Sequence, residues 1–290
     1  MSARAEDAFR ADIVEIGRRM YARGYVASND GNISIRLDET TILTTPKSVS
    51  KGFMTPDMMV VVDFDGKKIR GTRDASSELL MHLEVYKNRP DVRAVVHAHP
   101  PIATGFAVAG IPLDRAVLAE VVTTLGSIPI AEYGTPSTPE LPAAVRKYIK
   151  AHDGLLLANH GALTIGPDVF AAYYKMETIE HFAKISLVAR QLGREHLLSR
   201  EEVARLQDLR GNYGIKSPAP ICADPSTSSG SLPGENDQAN CQIVEAPAAR
   251  GARLVPTDPS DLDGEIRLSY RELTALIEDA VKALLGGQHG

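Results

Sequence analysis

The sequence is short of several features that would define a protein class by themselves. It has two cysteines in 290 residues, Cys222 and Cys241, both in a polar stretch rich in Pro, Ser and Gly. That argues against a disulfide framework and against a thiolate metal site. Positive charge is not in excess: 32 Lys and Arg against 37 Asp and Glu leave a formal net charge of -5. No basic field therefore attracts a polyphosphate backbone, and nucleic acid is not an expected partner. No apolar run approaches the roughly 20 residues that span a bilayer, so no membrane partner is expected either. The N-terminus, MSARAEDAFRADIVEIGRRMYARGY, spreads its charges throughout and lacks an apolar stretch with a small-residue cleavage site. It reads as mature sequence, hence cytoplasmic. A glycine-rich dinucleotide fingerprint is also missing.

What is present is a chain with 43% hydrophobic residues, enough to bury a sizeable core. Residues 1–215 alternate helical and strand patterns with few long breaks, which predicts one α/β body. Phe9, Ile13, Ile16 and Met20 recur at helical spacing and Gly24 ends that helix. Strands are expected at 31–37, 41–45, 59–64, 93–99, 126–133 and 154–166, and helices at 77–88, 139–151, 168–192 and 200–211. The early strands cluster behind short turns, so the sheet should be largely antiparallel or mixed and covered by helices.

Composition changes at Lys216. Residues 216–264 are dense in Pro, Ser, Gly, Asn and Asp, which predicts a disordered linker. Beyond it, Leu273, Leu276, Ile277, Ala280, Val281, Leu284 and Leu285 form one apolar stripe at helical spacing. Ser269 with Glu272 fits a capping box, and Gly286 and Gly287 supply the stop, so residues 265–290 should form a tethered amphipathic helix.

Three of the eight histidines stand in apolar, strand-like surroundings: His97 and His99 in VVHAHP, and His160 in LLLANHGALTIG. Strand residues two apart share a face, about 7 Å apart along the backbone, so His97 and His99 project together. Neutral imidazoles suit zinc, and three protein ligands with an open position mark a catalytic metal site. His160 could complete the set from a neighbouring strand. His152, His181, His196 and His289 lie in polar helical or terminal contexts and read as structural.

Upstream, Ser76-Ser77-Glu78 opens a helix. Ordinary capping explains Ser77 at the N-cap and Glu78 in the first turn. The sharper reading is an anion site of hydroxyls and unpaired N–H groups, with a carboxylate beside it able to act as a base. Two turns, around Asn29, Gly31 and Asn32 and around Thr45 and Lys47, could present further N–H groups and a cation to phosphate.

Together GNISIR, LTTPKS, SSE, VVHAHP and ANHGALTIG resemble, in order and spacing, the class II aldolase/adducin superfamily, and within it the L-fuculose-1-phosphate aldolase branch. The resemblance covers residues 5–215. It implies a three-layer α/β/α fold with a mainly antiparallel sheet, a homotetramer, and one zinc ion per subunit on His97, His99 and His160. Glu78 becomes the catalytic acid/base and a further metal contact. Gly31, Asn32, Thr45, Ser76 and Ser77 become the phosphate site. The implied reaction cleaves a ketose 1-phosphate, L-fuculose 1-phosphate first, to dihydroxyacetone phosphate and L-lactaldehyde. Tyr213 matches one of two family tyrosines that a neighbouring subunit contributes. The other is missing, because Ala116 stands near its place.

Relatives with the same histidines widen the choice to rhamnulose or 5-deoxyribulose phosphate aldolase, ribulose-phosphate 4-epimerase or methylthioribulose-phosphate dehydratase. The epimerase pattern has Asp where this chain has Glu78. A non-catalytic adducin-like interaction module is the reading from a different class, and it sits poorly with a complete ligand set. The C-terminal helix resembles the encapsulation peptides that direct enzymes into bacterial microcompartments, which makes a shell protein an expected partner of residues 265–290. Docking on the enzyme's own surface is the plainer alternative.

Overall fold

Residues 3–215 and Ile221 are described in the structure, a computed structural model. Apart from Ile221, the expected linker and C-terminal helix, with Cys222 and Cys241, lie outside the described residues. The first apolar spacing forms α1 (Ala3–Ala22), which turns Ile13, Ile16 and Met20 fully inward. The chain leaves it through Gly24 at φ +70°, a left-handed stop that favours glycine.

Four strands follow in sequence, β1 (Asn32–Arg36), β2 (Thr41–Thr44), β3 (Val60–Asp63) and β4 (Lys68–Arg70). The helix α2 (Leu79–Asn88) leads to β5 (Ala94–Ala98), and α3 (Pro101–Ala109) and α4 (Ala119–Thr124) lead to β6 (Ile130–Ala131). After α5 (Glu140–Arg146) come β7 (Gly154–Leu157) and β8 (Gly161–Gly166), then α6 (Val169–Gln191) and α7 (Arg200–Asn212). These strands make one sheet in the order β4-β3-β2-β1-β5-β8-β7-β6, antiparallel at every pairing except β6 with β7.

Alternation along the central strand builds two cores. Ala94, Val96 and Ala98 pack with residues of α1, α3 and α6, while Val95 joins the second core with residues of α2 and α5. The result is the three-layer α/β/α body with a mainly antiparallel sheet that the sequence implied. His97 has the parity of Val95 and so belongs to the α2 side.

Several boundaries differ from expectation. The run 154–166 is two strands, because Leu157 O accepts from His160 N–H at 3.0 Å and Asn159 takes φ +55° to close the turn. Asn tolerates that region by local hydrogen bonding, a signal present in ANHG. Of the expected 126–133 strand, residues 130–131 form β6 and Ile128 makes a separate bridge to Leu113, and the 139–151 helix shortens to 140–146. Neither α3 nor α4 was expected. The first turn of α3 has no local cap: Glu180, on α6, accepts from Ala103 N–H at 2.8 Å and from Ile102 N–H at 3.1 Å. The edge strand β4 is wholly exposed and carries no apolar alternation to read. Ser77 is not an N-cap, since α2 starts at Leu79, and Ser76 Oγ instead accepts from Glu78 N–H at 3.3 Å. Among the described residues no helix is long and apolar enough to cross a membrane.

Candidate metal and anion site

Pairing in the sheet assembles the histidines. In the β5–β8 ladder His97 stands opposite Leu163 and Ala98 opposite Ala162, which leaves His160 at the turn entering β8, beside the end of β5. The ring nitrogens of His97, His99 and His160 fall within 4.8 Å of one another, and the ring centroids are 4.7 to 5.0 Å apart. Glycine makes room for this. A β-carbon at Gly161 would stand 2.5 Å from Ala98 O and 2.6 Å from His99 Cδ2. At Gly31, φ +73° and the approach of His97 O likewise leave no space for a side chain.

The outer hydrogen bonds fix the protons on two rings. His97 Nδ1 is 2.9 Å from Ala162 O, which can only accept, so Nδ1 carries the proton and Nε2 turns its lone pair inward. His99 Nδ1 faces the Asp30 carboxylate at 3.4 Å with the same consequence. Burial pulls both imidazoles below their ordinary pKa, which keeps them neutral. His97 Nε2 and His99 Nε2 are then 3.1 Å apart with lone pairs opposed, an arrangement that a shared cation relieves. Three convergent imidazoles of this kind fit a divalent metal.

Glu78 reaches the same point from the N-terminal end of α2. Its Oε1 is 3.0 Å from His160 Nε2 and its Oε2 is 3.5 Å from His97 Nε2, while Asn32 Nδ2 donates to Oε2 at 2.8 Å. Burial alone would raise this carboxyl, but the hydrogen bonds it accepts from His160 and Asn32 outweigh it and hold Glu78 well below the usual carboxylate range. One turn along, His82 does not bond Glu78. Its Nδ1 lies 2.7 Å from Ser34 Oγ, and burial drops its pKa to about 4.

Beside the histidines is a cavity of about 220 Å³, whose lining includes Gly31, Asn32, Ser76, Ser77, Glu78, His99 and His160. The turn after β2 and the segment before α2 are tied together: Lys47 N–H donates to Asp74 O at 2.9 Å and Ser76 N–H to Thr45 O at 3.1 Å. Thr45 itself is fully buried and its Oγ1 accepts from Ile33 N–H at 3.2 Å, so its side chain serves the turn and not the cavity. Tyr213 ends α7, 65% exposed and outside the cavity lining. His152, read as lying in a polar context, is buried with Nδ1 3.1 Å from Ser127 O. The sequence reading missed Asp30, Lys47's neighbour Ser48, and Lys51, all of which line the cavity. Nothing in a lysine before a glycine marks it as buried. A larger cavity, about 820 Å³, is lined by Arg23, Tyr25, Glu177 and Glu180 among others and contains none of the histidine triad.

Residues 11–187 match the Class II Aldolase and Adducin N-terminal domain. The chain belongs to the class II aldolase and adducin family. An L-fuculose phosphate aldolase of Methanococcus maripaludis is 34% identical to this chain over 181 residues, 62% of this chain and 97% of the relative. A 3-oxo-tetronate 4-phosphate decarboxylase of Pectobacterium atrosepticum is 31% identical over 191 residues, 64% and 87% of the two chains. Among solved structures, an L-fuculose 1-phosphate aldolase superposes with a TM-score of 0.66 at 28% identity, covering 72% of this chain and 96% of its own.

Proposed function

We propose that this class II aldolase-family chain cleaves a ketose 1-phosphate, L-fuculose 1-phosphate first, to dihydroxyacetone phosphate and L-lactaldehyde. The observation that carries the reading is an ionised, half-enclosed carboxylate, Glu78, set against three convergent imidazoles at the edge of a polar cavity. A divalent cation on His97, His99 and His160, zinc by the family resemblance, supplies Lewis-acid withdrawal of the negative charge left when the carbon–carbon bond opens.

The protein's own groups do the rest. Ala162 O and Asp30 hold the protons of His97 and His99 outward, so both rings keep a lone pair for the cation. Glu78 moves the proton at C3, removing it in condensation and returning it after cleavage. Asn32 orients that carboxylate by donating to Oε2. Gly31, Asn32, Ser76 and Ser77 bind the phosphate with N–H and O–H donors, and Thr45 supports them from behind through its bond to Ile33. Tyr213 of a neighbouring subunit in a homotetramer handles the C4 hydroxyl proton. The apolar stripe of residues 265–290 adds a microcompartment shell protein as a partner. Only the sequence resemblance supports these last two assignments.

One observation favours a second reaction. Ala116 stands where the family pattern has a tyrosine, so one group for a leaving hydroxyl proton is absent. Loss of carbon dioxide from a 3-oxo acid needs no such group, and the Pectobacterium relative is named a decarboxylase of that kind. A coupled assay for dihydroxyacetone phosphate, run on L-fuculose 1-phosphate and on 3-oxo-tetronate 4-phosphate with and without chelator, separates the two. Turnover of the ketose phosphate alone supports the aldolase. Failure on both substrates with metal present defeats both readings.

A further inference from the structure

The steps above leave Lys51 without a task. Its side chain is 2% exposed, yet it lines the cavity beside Ser76, Ser77 and Glu78. Nζ donates to Asn29 O at 2.9 Å and to Val49 O at 2.8 Å. An ammonium has three donors, so one is unused. Among the described residues no carboxylate forms an ion pair with it. Carbonyls satisfy hydrogen bonds but carry no counter-charge, and a buried unpaired charge is strongly unfavourable.

The backbone holds the group where it is. Gly17 of α1 lies so close that a β-carbon there would stand 2.6 Å from Lys51 O, which pins the residue against the helix. Burial lowers the ammonium to about 8 against the opposite pull of Asp30 and Glu78, so it is still charged at neutral pH. Unpaired charges of this kind in a cleft mark places where a ligand supplies the missing partner. The missing partner here is an anion.

We propose that Lys51 is the counter-charge for the substrate's phosphate, and therefore the residue that makes the cavity select a phosphorylated ketose over the free sugar. This rests on the sugar-phosphate reading above. It assigns a charge to a site otherwise built from neutral donors, apart from exposed Lys47.

Inorganic phosphate is the probe, titrated calorimetrically into metal-loaded wild type, Lys51→Met and Lys51→Gln. Gln retains two N–H donors for the carbonyls of Asn29 and Val49 without the charge, which covers the case that Met does not fold. Phosphate should bind both variants about tenfold or more weakly, with metal content unchanged, as loss of a charge-assisted hydrogen bond requires. With ketose phosphate, KM should rise while kcat stays within about threefold of wild type, the signature of lost ground-state binding. A Lys51→Gln enzyme that binds phosphate within about twofold of wild type overturns the assignment. Lys51-dependent phosphate binding in a chain inactive on every ketose phosphate keeps this inference and sinks the aldolase reading. Phosphate binding indifferent to Lys51 in an active aldolase does the reverse.

Discussion

Asn32 donates to Glu78 across 46 residues of sequence, Nδ2 to Oε2 at 2.8 Å, and this bond is one end of a polar seam between β1 and α2. Ser34, two residues along the strand, meets His82, one turn along the helix, at 2.7 Å, and Tyr86 OH at 2.8 Å. Strand period two and helix period four thus run in step, and the seam sets the register that aims Glu78 at the histidines. Asn32→Ala should retain metal but reduce kcat by about tenfold or more, because the carboxylate loses its orienting donor. A kcat equal to wild type would show that the histidines alone orient Glu78.

Separating ligand from acid/base is the next test. Glu78→Gln keeps size and hydrogen bonding but cannot move a proton, so turnover should fall by about two to four orders of magnitude with metal retained. His97→Ala should instead lose the metal. Metal analysis of both purified variants beside their rates distinguishes the roles, and a His97→Ala protein with full metal occupancy would remove His97 from the ligand set.

Space around the histidines makes a third prediction. Gly161→Ala places a methyl group against Ala98 O and His99 Cδ2, so His99 has to shift. Metal affinity should drop by about tenfold or more, in the range seen when a ligand's orientation is disturbed. Competition with a chromogenic chelator measures it. Unchanged affinity would mean that the β7–β8 turn yields without moving the ring.

Away from the site, stability hangs on a buried ionic cluster. Asp153, 2% exposed, meets Arg89 Nη2 at 2.9 Å and Lys175 Nζ at 2.5 Å. Asp153→Ala leaves both cations short of a partner and should cost about 3 kcal/mol or more in urea unfolding. A loss below about 1 kcal/mol would show that Asp91, which also bonds Arg89, carries the cluster.

Lys51 gives a pH dependence whose sign can be worked out. Its folded value of about 8 lies below the ordinary lysine value of 10.5, so between those two the unfolded chain binds more protons. Stability from this group therefore rises with pH across that window, and the full cost of burying the charge is present below about 8. Asp30 and Glu78 face the ammonium, and Lys47 lines the same cavity. Measured against Lys51→Met, wild-type unfolding free energy should gain on the order of 3 kcal/mol between pH 7 and 10.5. A constant difference would place the group in an ordinary solvated setting.

By itself the sequence determined what depends on spacing along the chain. Strand period two put His97 and His99 on one face, and the order of motifs fixed the family, the α/β class and the candidates Glu78 and His160. It also missed what spacing does not encode: α3 is capped by a carboxylate 77 residues away, and Thr45 spends its hydroxyl on Ile33 instead of the cavity. Only the tertiary structure decided that His160 turns beside β5, that Glu78 meets two of the rings, and that Lys51 is buried with no ion-paired carboxylate among the described residues. The physical reason is that burial and charge balance are properties of segments brought together by sheet pairing, and no single stretch of sequence contains both partners.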